Sequence, residues 1–113
     1  MFARTMTRVR AAEQSILPIA ADRGVAVIAN RPLVAGAALG PLTGRPVPEW
    51  ASEIGCTTWS QLLLKFVVSH PAITCAIQAT SSPDHLLDNM QAAFGPMPDE
   101  SLREKIAGAA TGR

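Results

Sequence analysis

The hydrophobic pattern divides the chain into short helical and extended segments. Between Arg10 and Arg23, apolar residues recur every three to four positions, which predicts an amphipathic helix. Its predicted inner face consists of Ala12, Ile16, Ile19 and Ala20. Pro18 lies inside this pattern and predicts a late start or a kink, because a proline within a helix lacks its N–H and clashes with the preceding turn. Gly24 predicts the end of the helix.

Two apolar runs show no alternation, and they predict strands that are buried on both faces. The runs are Val25–Ala29 and Ala72–Ile77. Strands of this composition are typical of parallel sheets, so we expect the two to lie parallel. Residues 30–47 follow the first run and are rich in glycine and proline, which predicts a long irregular loop. The loop leaves the carboxyl end of its strand, where ligands bind in α/β folds.

A second helical pattern separates the two predicted strands. Residues 48–54 predict a short helix that ends at Gly55, and Thr57 or Thr58 then caps a longer helix. The apolar stripe of the longer helix comprises Trp59, Leu62, Leu63, Phe66 and Val67. The predicted outer face comprises Ser60, Gln61 and Lys65. The pattern ends near residues 69–71, where a proline breaks it.

The second predicted strand runs directly into a polar turn and a third helix. Ser82 is a residue type that caps helices well, and Pro83 stands where a first helical residue loses nothing by lacking its N–H. The free amides and the positive end of such a helix attract phosphate or carboxylate. This helix should continue to about Phe94. The turn is the strongest candidate for a binding site from the residues alone.

The length of 113 residues allows one domain at most. We expect residues 1–11 to form a poorly structured basic lead-in and residues 108–113 to form a frayed tail. The part between them, 12–107, ends in a helix that Asp99 caps, with Leu102 and Ile106 facing inward.

Composition argues against several partners. A net charge of +1 provides no field for nucleic acid, and an aromatic content of 4% offers little surface for stacking on bases. The apolar runs are far shorter than a membrane span. Cys56 and Cys75 lack the spacing of a metal or redox motif, which predicts reduced thiols and a cytoplasmic protein.

Four stretches, in order and with consistent spacing, resemble the C-terminal third of the aldo-keto reductases. These stretches are Glu13–Val25, Val27–Gly36, Thr58–Phe66 and Ile77–Asn89. The family has a TIM barrel and catalyses NAD(P)H-dependent carbonyl and aldehyde reduction. The resemblance covers roughly residues 12–107 and implies an α/β fold: an incomplete (β/α)₈ barrel with two parallel strands, which correspond to the seventh and eighth of the family.

The resemblance also implies a cofactor site for NADP(H) or NAD(H). The implied cofactor-binding residues are Pro32, Leu33, Gly36, Ser81, His85, Asp88 and Asn89. By resemblance, the first three line the pyrophosphate, the next two lie near the adenosine phosphate, and the last two lie near the adenine. The chain departs from the family at Gln78–Ala79, where a Pro-Gly pair is usual. No lysine or arginine occurs between Lys65 and Arg103, so the preference between NADP and NAD stays open.

No catalytic residue can be assigned in this chain. The family's catalytic Asp, Tyr, Lys and His lie on the first four strands of the barrel, whereas the resemblance begins after the sixth. The chain contains no tyrosine, and hydride transfer to a carbonyl needs a proton donor. We therefore expect the cofactor-binding end of a reductase that is inactive alone. Two alternatives stay open: an interaction module that self-associates or complements a barrel half, and a non-functional gene remnant.

Overall fold

Two short parallel strands and the helix between them form the centre of the molecule. A computed structural model describes residues 10–30, 32–33, 39–78 and 80–111. Strand β1 (Ile28–Asn30) pairs in parallel with strand β2 (Cys75–Ile77), and Ala29 lies opposite Ala76. The predicted parallel pair in a mixed α/β fold is confirmed, although both strands are shorter than the apolar runs that predict them.

Helices account for most of the remaining regular structure in the described residues. The α-helices are α1 (Ile16–Asp22), α2 (Trp59–Val68), α3 (Pro83–Met90) and α4 (Glu100–Thr111). Residues 10–14 are also helical. Single turns of 3-10 helix occur at Gly40–Leu42 and Gln91–Ala93, and a longer one at Glu49–Ile54. None of the helices in these described ranges has the length and apolarity that a bilayer span requires.

The first helical pattern is interrupted, as Pro18 predicts. Ser15 leaves helical geometry with φ −125° and ψ −66°, and α1 begins at the next residue. The interruption follows because Pro18 cannot donate to the carbonyl four residues earlier and its ring clashes with that turn. Helical structure includes residues 10 and 11, which the sequence assigned to the lead-in. The rest of that lead-in, residues 1–9, lies outside the described part.

The interruption also changes which side of α1 faces the core. Leu17 and Ala20 are buried, whereas Ile16 and Ile19 are exposed. The prediction of Ile16 and Ile19 on the inner face is therefore wrong, because it assumed one unbroken helical phase through Ser15.

The end of α1 at a glycine is confirmed. Gly24 has φ +65°, and its N–H donates to the carbonyl of Ala21. The next N–H, that of Val25, donates to the carbonyl of Ala20 at 2.9 Å. These two bonds form a Schellman motif, which needs a residue that tolerates positive φ.

Helix α2 lies inside the molecule. The predicted apolar stripe is buried throughout, as are the residues between its members from position 61 onward. The prediction of an outer face at Gln61 and Lys65 is wrong, since their exposed fractions are 4% and 0%. The reason is that β2, α3, α4 and the turn at Gln91–Ala93 pack around α2 from several directions. The third residue of that predicted face, Ser60, is half-buried.

Within the described residues, the sheet is covered on one face only. Ala29 and Ala76 pack against the core, whereas their neighbours along each strand point the other way. We call this second surface the bare sheet face, and it consists of Ile28, Asn30, Cys75 and Ile77, all exposed. The prediction of strands buried on both faces is wrong, because the described residues place helices against one face only.

The C-terminal helix is continuous to Thr111. Asp99 caps it as predicted, since the Leu102 N–H donates to Asp99 Oδ1 at 2.9 Å. Ile106 is fully buried, and Ala110 is 2% exposed. The predicted fraying from residue 108 is therefore wrong as far as Thr111, because this last turn packs against the core. Residues 112 and 113 lie outside the described part.

Lys65 is a charged side chain with no exposed surface. Its ammonium group donates to the backbone carbonyls of Ile54 and Phe94, and more weakly to that of Pro96 at 3.4 Å. Gly95, with φ +80°, permits this approach, because a Cβ there would lie 3.2 Å from the Ile54 carbonyl oxygen. Lys65 therefore joins the turn at Ile54 to the turn at Phe94 and Pro96.

Replacing Lys65 tests this connection. Lys65→Met keeps the aliphatic volume but leaves buried carbonyls unpaired, so we expect the free energy of unfolding to fall by about 2–3 kcal/mol. Lys105→Met is the matched control, since this lysine is exposed and its ammonium lies over the Trp50 ring; the expected loss is under about 1 kcal/mol. Urea denaturation measures both, and equal losses would contradict the assignment.

Candidate functional site

The turn between β2 and α3 has the predicted helix-start chemistry. Ser82 Oγ accepts the N–H of His85 at 3.3 Å, and Thr80 Oγ1 accepts the N–H of Ser82 at 3.2 Å. Pro83 is the first residue of α3. The predicted N-cap and the position of Pro83 are confirmed. α3 ends at Met90, and the 3-10 turn that follows reaches the predicted end near residue 94.

Ser81 and His85 are exposed at this turn, so both are accessible to a ligand from solvent. The helix dipole favours an anion here. Asp84 places a carboxylate in the same first turn, and its negative charge repels a bound anion. The cations that flank this region in sequence are committed elsewhere: Lys65 to backbone carbonyls, and Arg103 to Glu13 and the Phe66 carbonyl. Because the N–H groups of Ser82 and His85 already donate to hydroxyls within the turn, the turn offers a phosphate the exposed Ser81 and His85 side chains, without a charged partner from Lys65 or Arg103.

Asp88 connects α3 to the N-terminus of α2. Its Oδ2 accepts the hydroxyl of Thr58 at 2.9 Å, and its Oδ1 accepts Nε2 of Gln61 at 2.8 Å. Thr58 also caps α2, because its hydroxyl accepts the N–H of Gln61, which confirms one of the two predicted caps. A carboxylate at this position also complements the dipole of α2.

Asn89 makes a parallel connection one residue later. Its Oδ1 accepts the hydroxyl of Ser60 at 3.0 Å, and both residues are half-buried. Asp88 and Asn89, the implied adenine contacts, thus already have protein partners. Sequence reasoning missed this role because the partners stand 27 to 30 residues away.

The segment that carries the implied pyrophosphate residues begins at the same end of the sheet as the turn between β2 and α3. Because the strands are parallel with Asn30 opposite Ile77, the segments that follow β1 and β2 depart from one edge. Pro32 is half-buried, and the side chain of Leu33 is 1% exposed and belongs to the core. Leu33 can therefore face a ligand with its backbone only. Gly36 lies outside the described residues, as does Ala79 of the turn.

A groove of about 570 Å³ lies beside β2, and sequence reasoning did not find it. It runs between α2, α3 and the segment 69–76. Its apolar lining includes Leu64, Val68, Ile73, Leu86, Met90 and Met97. His70 is a polar member whose Nδ1 accepts the N–H of Ala72 at 3.1 Å. No local motif could indicate this groove, because distant segments contribute its walls.

The two cysteines differ in reactivity. Both are free thiols; Cys56 is buried and Cys75 is exposed on the bare sheet face. Burial raises the pKa of the Cys56 thiol, and the nearby Lys65 ammonium only partly opposes this. Cys56 is therefore a thiol at neutral pH, with little nucleophilic character. Within the described ranges, no three histidine, cysteine or acidic side chains are grouped so that they could hold a metal ion.

Comparison of the chain with protein-family models, with curated proteins and with solved structures gives no match.

The role of Asp88 can be tested by substitution. Asp88→Ala removes two hydrogen bonds to a carboxylate and leaves Gln61 Nε2 without this acceptor, so we expect a stability loss of about 2 kcal/mol. Asp84→Ala is the matched control on the same helix; it is exposed, and the expected change is under about 1 kcal/mol. If Asp88→Ala denatures in urea like the wild type, the connection between α2 and α3 does not depend on this carboxylate.

Proposed function

We propose that this chain is the cofactor-binding end of an aldo-keto-reductase-like barrel, and that it has no reductase activity alone. The proposal extends the sequence resemblance with one structural observation. A parallel strand–helix–strand unit, β1–α2–β2, leads directly into a capped helix and carries helices on one face only. In a (β/α)₈ barrel each strand pair has this asymmetry, because helices cover the outer face and strand side chains fill the interior.

The bare sheet face supports this interpretation. Ile28 and Ile77 are more than half exposed, and both point to the side that is the interior of a barrel. Apolar strand residues of this kind are normally buried in parallel sheets. The proposal explains their exposure, since the strands that complete a barrel interior are not part of the described unit.

The nucleotide part of the proposal rests on the turn at residues 80–85. Its exposed Ser81 and His85 side chains suit a phosphate oxygen, and it lies at the carboxyl end of the sheet. Lys65 and Arg103 are buried in other contacts, so neither is free to pair with a 2′-phosphate. We therefore propose that the site takes the adenosine diphosphate part of NAD(H) or NADP(H), and that neither Lys65 nor Arg103 contributes a preference for the 2′-phosphate. Two free thiols are consistent with the proposed cytoplasmic location.

Calorimetric titration with NAD⁺, NADP⁺ and 2′,5′-ADP tests the nucleotide site. We expect NAD⁺ and NADP⁺ to bind with affinities within about threefold, because neither Lys65 nor Arg103 is free to pair with the 2′-phosphate. Ser81→Asp should weaken binding at least about tenfold through repulsion of the phosphate. Ser101→Asp, at an exposed position in the first turn of α4, is the matched control and should change nothing.

Two results would contradict the proposal. Absence of nucleotide binding at millimolar concentration would remove the cofactor role. Oxidation of NADPH by the purified chain with an aldehyde substrate would refute the claim of inactivity.

A second candidate function is an interaction module, and the bare sheet face favours it. The two-stranded sheet also has a free edge on each strand within the described residues. Such edges pair readily with further strands, and apolar faces of this kind often mark interfaces. A second copy of the chain or a complementing barrel half would bury both features.

Cys75 reports on this interaction because it lies on the bare sheet face. If copies associate through this face, mild oxidation at high protein concentration should yield a disulfide-linked dimer. Cys75→Ser should abolish the dimer, whereas Cys56→Ser should leave it unchanged because that thiol is buried. A chain that sediments as a monomer, with Cys75 alkylated at the same rate at every concentration, would contradict self-association.

A further inference from the structure

Residues 10–22, which we call the N-terminal arm, are attached to the described part of the molecule through two apolar side chains and a group of charged side chains. The arm consists of the helical segment 10–14 and α1. Leu17 and Ala20 are the buried residues of α1, and Ile16 and Ile19 face solvent. No described helix or strand makes an extensive contact with α1. The apolar attachment of α1 therefore rests on Leu17 and Ala20.

Charged side chains attach the N-terminal part of the arm, the helical segment 10–14, to α4. The Glu13 carboxylate accepts hydrogen bonds from Arg103 of α4 and, at 2.8 Å, from Arg10 of the arm. Arg10 also pairs with Glu104 of α4. The Glu13–Arg103 pair is more buried than the Arg10–Glu104 pair. The side chains of Arg103 and Glu13 are only 2% and 12% exposed.

Arg103 also makes contacts with the core that do not involve the arm. Its Nη1 donates to the Phe66 carbonyl and, at 2.7 Å, to Ser69 Oγ. Its guanidinium carbon lies 4.2 Å from the centre of the Phe66 ring. Glu100 is 3.6 Å from Nε but is mostly exposed, and Nε itself has no hydrogen-bond partner. Glu13 is thus the buried counter-ion of a charge that the core retains.

We propose that the arm opens and closes as a unit on an otherwise folded chain, and that the Glu13–Arg103 pair determines how often it opens. Gly24 separates α1 from the strand region, and the sheet hydrogen bonds begin beyond it, where Thr74 N–H donates to the Val27 carbonyl. The arm can therefore leave without breaking the sheet. Opening admits water to Arg103, which keeps its bonds to the end of α2.

Hydrogen exchange of the intact chain, followed by mass spectrometry, tests the proposal. In the wild type, the amides of residues 20–23 should exchange faster than those of residues 62–67 in α2, because local opening precedes global unfolding. Glu13→Gln should accelerate exchange in the arm at least about tenfold and leave α2 unchanged. Glu104→Gln is the matched control; its pair with Arg10 is solvent-exposed, and the arm should accelerate less than about threefold.

Several results would overturn the proposal. Equal exchange rates in the arm and α2 of the wild type would show that the arm opens only when the whole chain unfolds. Equal acceleration of both regions by Glu13→Gln, or failure of that variant to fold, would show that the pair stabilises the entire fold. No acceleration in the arm would remove Glu13 as the controlling contact.

Discussion

The structure depends on the burial of helix α2 together with its polar side chains Gln61 and Lys65. An amphipathic helix can leave its polar side chains in water, but α2 cannot, because elements pack around it from several directions. Lys65 binds carbonyls of two distant turns, Thr58 and Gln61 bind Asp88 of α3, and the Phe66 carbonyl binds Arg103 of α4. Because a buried polar group without a partner is costly, each of these bonds fixes the position of one surrounding element.

This arrangement also explains why the molecule is asymmetric. The elements that supply hydrogen-bond partners to α2 lie on the same side of the sheet as α2. The opposite side, with Ile28 and Ile77, therefore has no covering layer among the described residues. Buried polar groups of α2 without hydrogen-bond partners would cost more free energy than an uncovered sheet face does. The polar groups of α2 need their hydrogen-bond partners for the chain to fold, whereas the bare sheet face can stay exposed until a partner covers it. The proposed origin in a barrel and the proposed association both follow from this difference.

Local signals in the sequence predicted the element types well. The Ser82–Pro83 helix start, the Asp99 cap and the Gly24 end each depend on neighbouring residues, and the structure confirms all three. The apolar stripe of α2 was also correct. Most of the errors concern which side of an element faces solvent. Periodicity places Lys65 and Gln61 outward because it describes one helix at a time, and it contains no information on how many neighbours surround that helix.

The same limit applies to the candidate site. The turn at residues 80–85 was visible in the sequence because its chemistry is local, but the partners of Asp88 and Asn89 lie far away in the chain. Chemical-shift mapping by ¹⁵N NMR with saturating NAD⁺ tests the central claim most directly. The account predicts perturbed amides at residues 80–86 and in the segment that follows β1. Perturbations confined to the groove beside β2, or none at all, would contradict it.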